Sequence, residues 1–169
     1  LSIMSQNANS IVLGGQGKVI KISKLTGNIE LRINLAELIP SGYDQGAFNP
    51  VISEDGFIYV PTGWNSWQGL KGNMLCYNSE TGNYLWGFES PHNFDIQSCG
   101  IKDSILTFAS SSTMFALNRF NGRKIWQTTI NDDSFWQSLT IKDETVYMGS
   151  NNLAKMYAFD LRSGKLKWK

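Results

Sequence analysis

The sequence has no run of 18 apolar residues, so no segment is long enough to cross a bilayer as a helix. It has two cysteines, Cys76 and Cys99, too few for a disulfide framework or a thiolate metal site. The imidazole supply is one residue, His92. No N-x-S/T acceptor occurs, so glycosylation gives no clue to compartment. Neither sign of charge is in excess: 15 Lys and Arg face 14 Asp and Glu. That balance argues against nucleic acid or an acidic lipid surface as partner. Charged residues make up only 17% of the chain, below the usual ~25%, and Asn, Ser and Gly supply the polarity instead. Helical spacing is not sustained anywhere. No nucleophile-and-base pairing or phosphate-cradling loop is seen, so no catalytic residue is assigned.

What is present is repetition. "YNSETGNYLWGF" (77–88) is followed by "LNRFNGRKIWQT" (117–128) and "FDLRSGKLKWK" (159–169). Four residues before Gly82, Gly122 and Gly164 stand Asn78, Asn118 and Asp160, and four residues after them stand Trp86, Trp126 and Trp168. A weaker copy centred on Gly27 places Ser23 and Leu31 at the same offsets. The glycines are 55, 40 and 42 residues apart, a period that belongs to propellers and solenoids. An Asn, Asp or Ser side chain bonds the backbone of a tight turn and glycine supplies its positive φ, so each glycine is a corner. The tryptophan beyond it falls in the next strand, where a large flat ring fills the gap between sheets. Trp86, Trp126 and Trp168 are therefore read as core.

Around each corner lie four short runs rich in Val, Ile, Tyr and Phe, bounded by Gly, Asn and Asp, which are strand signals. The expected fold is all-β, a row of four-stranded antiparallel blades at approximately 1–47, 48–96, 97–136 and 137–169. The copies "FALNRFNGRKIW" and "YAFDLRSGKLKW" resemble A-L-D-x-x-T-G-x-x-x-W, the repeat of the PQQ-like (quinoprotein and BamB-type) β-propeller family. The resemblance covers the whole chain and implies a propeller. It also implies an extracytoplasmic location, whether periplasmic, cell-surface or secreted. Propellers of this family usually close with six to eight blades, so the four found here are expected either to belong to a longer polypeptide or to be completed by a second copy. The sequence opens on Leu1 rather than Met, with no basic-then-apolar leader before the repeats.

Where the first strand of a blade lies innermost, the connections between blades share one rim with those between strands two and three, opposite the glycine corners. Irregular segments fall on that rim at 35–48, 61–72, 89–97 and 131–137. They hold Trp64, Trp67 and Trp136 together with Tyr43, His92, Phe48, Phe94 and Phe135. Rigid scaffolds carry function on such loops. Trp64 and Trp67 stand three apart in a Gly-rich insertion missing from the other copies, so the repeat does not require them. The candidate contacts are Trp64, Trp67, Tyr43, His92, Trp136 and Asn65, for a protein partner or a small ligand such as a carbohydrate. Phe48, Phe94 and Phe135 read equally as aromatics that pack their own loops.

The same resemblance carries an enzymatic alternative, a fragment of a PQQ- and calcium-dependent alcohol or sugar dehydrogenase. "PTGWN" and "LWGFESPHNFD" are similar in order to segments of those enzymes. Trp64, however, takes the place of their calcium-binding Asn, with Asn65 one residue late, and their adjacent cysteine pair is absent. Asn65, Asp95 and Asp44 are the oxygen donors in question, whereas a hard cation takes about six. The expectation is a non-catalytic binding or scaffold module without cofactor or metal.

Overall fold

A computed structural model describes residues 5–35, 46–63, 71–131, 133–135 and 139–169. They form strands only, in four antiparallel sheets and two compact units, Leu1–Asp95 and Ile96–Lys169. In the first unit, β1 (Ser5–Gln6), β2 (Ser10–Gly15), β3 (Lys18–Ser23) and β4 (Ile29–Asn34) pair in chain order. The next sheet is built from β5 (Gly46–Ala47), β6 (Val51–Ile52), β7 (Phe57–Gly63), β8 (Asn73–Asn78) and β9 (Tyr84–Glu89), with β5 and β6 both paired to β7. The second unit holds β10 (Cys99–Lys102), β11 (Ile105–Ser110), β12 (Thr113–Asn118) and β13 (Lys124–Thr129). Beside them stand β14 (Leu139–Lys142), β15 (Thr145–Gly149), β16 (Met156–Asp160) and β17 (Leu166–Trp168).

The corners behave as the repeat demands. Gly27, Gly82, Gly122 and Gly164 have φ of 71°, 74°, 71° and 70°, a region that L side chains avoid. The residue four places earlier closes each turn: the Asn78 side chain accepts from the backbone N–H of Glu80 and Thr81, at 2.9 Å each. Asn118 accepts from Phe120 at 3.0 Å, Asp160 from Ser163 at 2.9 Å and Ser23 from Thr26 at 3.3 Å. The register then slips between Lys21 and Ile22, Cys76 and Tyr77, Ala116 and Leu117, and Ala158 and Phe159. All four slips lie at the same offset from their glycine, so the bulge belongs to the repeat. It adds twist to the outer hairpin of every blade.

Packing between sheets supplies the core of each unit. Val12, Val19, Ile33, Ile58, Val60 and Leu75 are among those that join the sheets of the first unit. In the second, Met114, Trp126, Phe135, Val146, Tyr157 and Phe159 form the corresponding cluster. Burial of such surface, at about 25 cal/mol per Å², is the main force holding the sheets together. Cys76 and Cys99 are buried thiols.

Three expectations need correction. The segment 35–48 contains β5, whose Gly46 and Ala47 pair with Gly63 and Thr62. Two small residues lie flat against a strand there without any hydrophobic alternation to announce them. Pro61–Gly63 belongs to β7 rather than to a loop. The third concerns the tryptophans: Trp86 and Trp126 are 8% and 9% exposed, but Trp168 is 50% exposed. Its ring rests on Tyr147, centroids 5.9 Å apart. The reason lies in what covers Trp126. That ring sits against Gly164, where even a Cβ would collide with it, and its indole N–H donates to the Leu161 carbonyl at 2.9 Å. The corner of one blade thus roofs the tryptophan of the blade before it, a cover that Trp168 does not have among the described residues.

Candidate functional site

The candidate contacts are expected on the rim opposite the corners. Of these, Tyr43, Trp64, Asn65, Trp67 and Trp136 lie outside the described residues. What the structure shows is the footing of the segments that hold them.

In the first unit the hairpin between β7 and β8 is closed by Thr62. Its hydroxyl accepts from the Asn73 N–H at 3.0 Å and donates to the Asn73 carbonyl at 3.2 Å. Gly72 then donates to Phe94 O at 3.1 Å and accepts from Ser90 N–H at 2.9 Å. These bonds tie the insertion bearing Trp64 and Trp67 to the segment bearing His92. His92 is half-buried, and its backbone N–H donates to the Ser90 hydroxyl at 3.1 Å. Asp95 presses against Gly63 so closely that a Cβ on residue 63 would overlap its carboxylate. The glycine is needed at this position for the close approach.

The second unit has a tighter knot. Asp133, 5% exposed, accepts from the Tyr157 hydroxyl at 2.9 Å and from the Ser134 backbone N–H at 2.8 Å. Ser150 and the Asn152 backbone also bond it. Burial pushes this carboxyl up, but the hydrogen bonds from Ser134, Tyr157, Ser150 and Asn152 outweigh it and hold the group below the usual aspartate range. Around it, Asn151 N–H donates to Ser134 O at 2.9 Å and Phe135 N–H to Ser111 O at 2.8 Å. Phe135, 2% exposed, fills the space beneath, edge-on to Tyr157 and Phe159. It packs its own loop, the plainer of the two readings open for it. Connections 130–135, 150–155 and 111–112 are thereby fastened at one point, immediately before Trp136.

Asp133 is a residue the sequence reading missed, although a signal existed. Seven residues before the corner glycines stand Ile20, Leu75, Phe115 and Tyr157. Only the last adds a hydroxyl to a buried apolar position, and a buried hydroxyl needs a partner.

The opposite rim is braced by charge. In the second unit Arg162 meets Asp103 at 2.8 Å and Glu144 at 2.7 Å, and Lys102 meets Glu144 at 2.7 Å. The hydrogen bonds from Lys102 and Arg162 lower the Glu144 pKa. These pairs are solvent-exposed and contribute little to stability.

Of the three oxygen donors considered for a calcium ion, only Asp95 lies among the described residues. Asp95 is engaged against Gly63, Asp44 and Asn65 lie outside those residues, and no three His, Cys, Asp or Glu among the described residues are placed to share a metal.

Comparison with known proteins addresses the fold and the family. No curated protein matches the chain. Among solved structures, the computationally designed Ika4 protein is 15% identical with a TM-score of 0.73, over 94% of this chain and 89% of that one. BamB from Moraxella catarrhalis is 17% identical with a TM-score of 0.71, over 99% of this chain and 49% of that one. Quinohemoprotein alcohol dehydrogenase from Comamonas testosteroni is 14% identical with a TM-score of 0.79, over 96% of this chain and 34% of that one. The chain thus spans about half of the BamB structure and a third of the dehydrogenase. At these identities the likeness is one of fold, that of a β-propeller. Residues 3–169 match the family described as outer membrane protein assembly factor BamB, and the chain belongs to that family.

Proposed function

We propose that the chain is a non-catalytic binding module that docks a protein partner on the rim opposite its glycine corners, in an extracytoplasmic compartment. The observation that carries this reading is the fastening of that rim. The knot at Asp133 and the ladder through Gly72, Ser90 and Phe94 fix the bases of the connections that bear Trp136, Trp64 and Trp67. Large aromatic side chains on a preorganised base lose little freedom when a partner arrives, which is how interface hot spots are built. The family description, an outer membrane protein assembly factor, supports both a protein partner and the compartment. Tyr43, His92 and Asn65 complete the proposed contact set, and no cofactor is invoked. No helix among the described residues is long and apolar enough to cross a membrane.

The experiment is site-specific photocrosslinking in cells, with the reactive side chain at position 67 on the rim or at position 24 beside a corner. A discrete protein adduct is expected from position 67 alone. With that partner purified, the double change Trp64→Ala and Trp67→Ala should weaken binding by more than about 2 kcal/mol and leave the melting temperature nearly unchanged. Unchanged affinity with a large loss of stability would mean that the two rings pack the loop, and the reading would fail.

A further inference from the structure

The near-neutral charge of the whole chain, which argues against an acidic lipid surface, conceals an uneven division. Residues 96–169 hold ten Lys and Arg against six Asp and Glu, whereas residues 1–95 hold five against eight. Within the second unit the cations gather on one rim. Its four hairpin turns, 102–105, 118–124, 142–145 and 160–165, are drawn together on the corner side. Arg119 N–H donates to Ser104 O at 2.9 Å, Leu161 N–H donates to Glu144 O at 3.0 Å, and Arg162 reaches Asp103 at 2.8 Å. These turns carry seven Lys and Arg against four Asp and Glu. The connections of the other rim, 111–112, 130–135 and 150–155, carry one cation, Lys155.

Three of the four acids on the corner rim are already paired. Glu144 is shared by Lys102 and Arg162, Asp103 meets Arg162, and Asp160 meets Lys167 at 3.5 Å. Arg123, Lys142 and Lys165 have no ion-pair partner among the described residues, and Lys124 is bonded to the neutral Gln127. The repeat does not require these cations. The residue after the corner glycine is Asn28 and Asn83 in the first unit but Arg123 and Lys165 in the second. The turn uses only its backbone: the N–H donates to the side chain of Thr26, Thr81, Asn121 or Ser163 two places earlier, and the carbonyl accepts from Ser23, Asn78, Asn118 or Asp160. The side chain is left to other uses. Beside Arg123 the corner presents Phe120, 46% exposed, with the Arg119 guanidinium 4.3 Å from its ring centre, and Ile125 on β13 is 46% exposed as well. Half-exposed apolar side chains among cations are the composition of a surface that meets the headgroup and acyl boundary of a bilayer.

We infer that the corner rim of the second unit docks on a membrane surface rich in anionic phospholipid, with Arg123, Lys124 and Lys165 facing the headgroup phosphates and Phe120 entering the interface. Charge complementarity names the occupant. A sheet of headgroups offers a phosphate to every turn of the rim at once, whereas an acidic protein segment would need its carboxylates matched to turns on two different blades. This face is separate from the rim on which protein docking is proposed, so the two readings fail independently.

Co-sedimentation of the 169-residue chain with lipid vesicles tests the inference, comparing phosphatidylcholine alone with equal parts of phosphatidylcholine and phosphatidylglycerol. Binding is expected to the mixed vesicles alone, and it should weaken as added salt shortens the Debye length. The double change Arg123→Asn and Lys165→Asn gives the second unit the residue type that the first uses at the same corner position, so the turns should stand and the melting temperature hold. Loss of two cations from an anionic surface should lower partitioning about thirtyfold. Phe120→Ser should weaken binding by a factor that salt does not change. Lys155→Gln, on the opposite rim, should leave binding as it was. Equal binding to uncharged vesicles, binding that survives the double change, or an equal loss with Lys155→Gln would each overturn the proposal. Tighter binding to polyglutamate than to the mixed vesicles would do the same, by making the rim a site for acidic protein.

Discussion

Replacing Trp126 by alanine tests the junction from which the blade architecture is argued. The ring is 9% exposed, roofed by Gly164, and hydrogen-bonded to Leu161 O at 2.9 Å. Removing a buried tryptophan costs about 3–5 kcal/mol in lost transfer energy and residual cavity, and the Leu161 carbonyl also loses its donor. A unit the size of Ile96–Lys169 holds on the order of 4–11 kcal/mol at about 0.05–0.15 kcal/mol per residue. The substitution therefore removes a large part of its stability. Trp168→Ala is the matched control, since it removes the same side chain from the same place in the repeat. Half of that ring is already in water, and solvent fills the space left behind, so the cost should be about 1–2 kcal/mol. Both variants are compared by urea unfolding followed by circular dichroism. Trp126→Phe, which keeps most of the apolar area but not the donor, should fall between them at about 2–3 kcal/mol. Equal losses for the two alanine variants would refute the reasoning, because burial by the next corner would then contribute nothing.

Asp133→Asn should destabilise the chain at neutral pH and flatten its acid limb. The folded-state pKa of Asp133 is lowered, so its contribution is present above the unfolded value of about 3.9 and is lost as pH falls through the lower folded value. Melting temperature measured from pH 7 down to pH 2 should show the unmodified protein losing its advantage over the variant only at the acid end. Thr107→Val is expected to act in the opposite direction. Its hydroxyl is fully buried without a hydrogen-bond partner among the described residues, and an isosteric apolar side chain removes that penalty, raising stability by about 1 kcal/mol in the same urea assay.

The parts of the fold that could be read from residues are those where one residue type is forced by local geometry. A turn at φ near 70° leaves little choice but glycine, and the side chain that closes it must be short and polar, so the four corners announced themselves through Gly27, Gly82, Gly122 and Gly164. Where a partner distant in sequence decides the outcome, the residue alone is silent. Trp126 and Trp168 are written identically, yet one is covered and the other is not, because coverage is supplied by a corner elsewhere. Asp133 looks like a solvated loop aspartate in "INDDSFW", and its burial depends on Tyr157 across a strand connection. Gly46–Ala47 is a strand through its pairing with Gly63 and Thr62 of β7, a partner distant in sequence. The repeat conserves its fold by fixing the corner rim and leaving the other rim free to vary. A binding face can be written only in residues the repeat does not prescribe. Trp64 and Trp67 meet that condition by standing in an insertion, and Asp133 meets it by fastening a connection to a strand position where this copy carries tyrosine and the other three carry Ile20, Leu75 and Phe115.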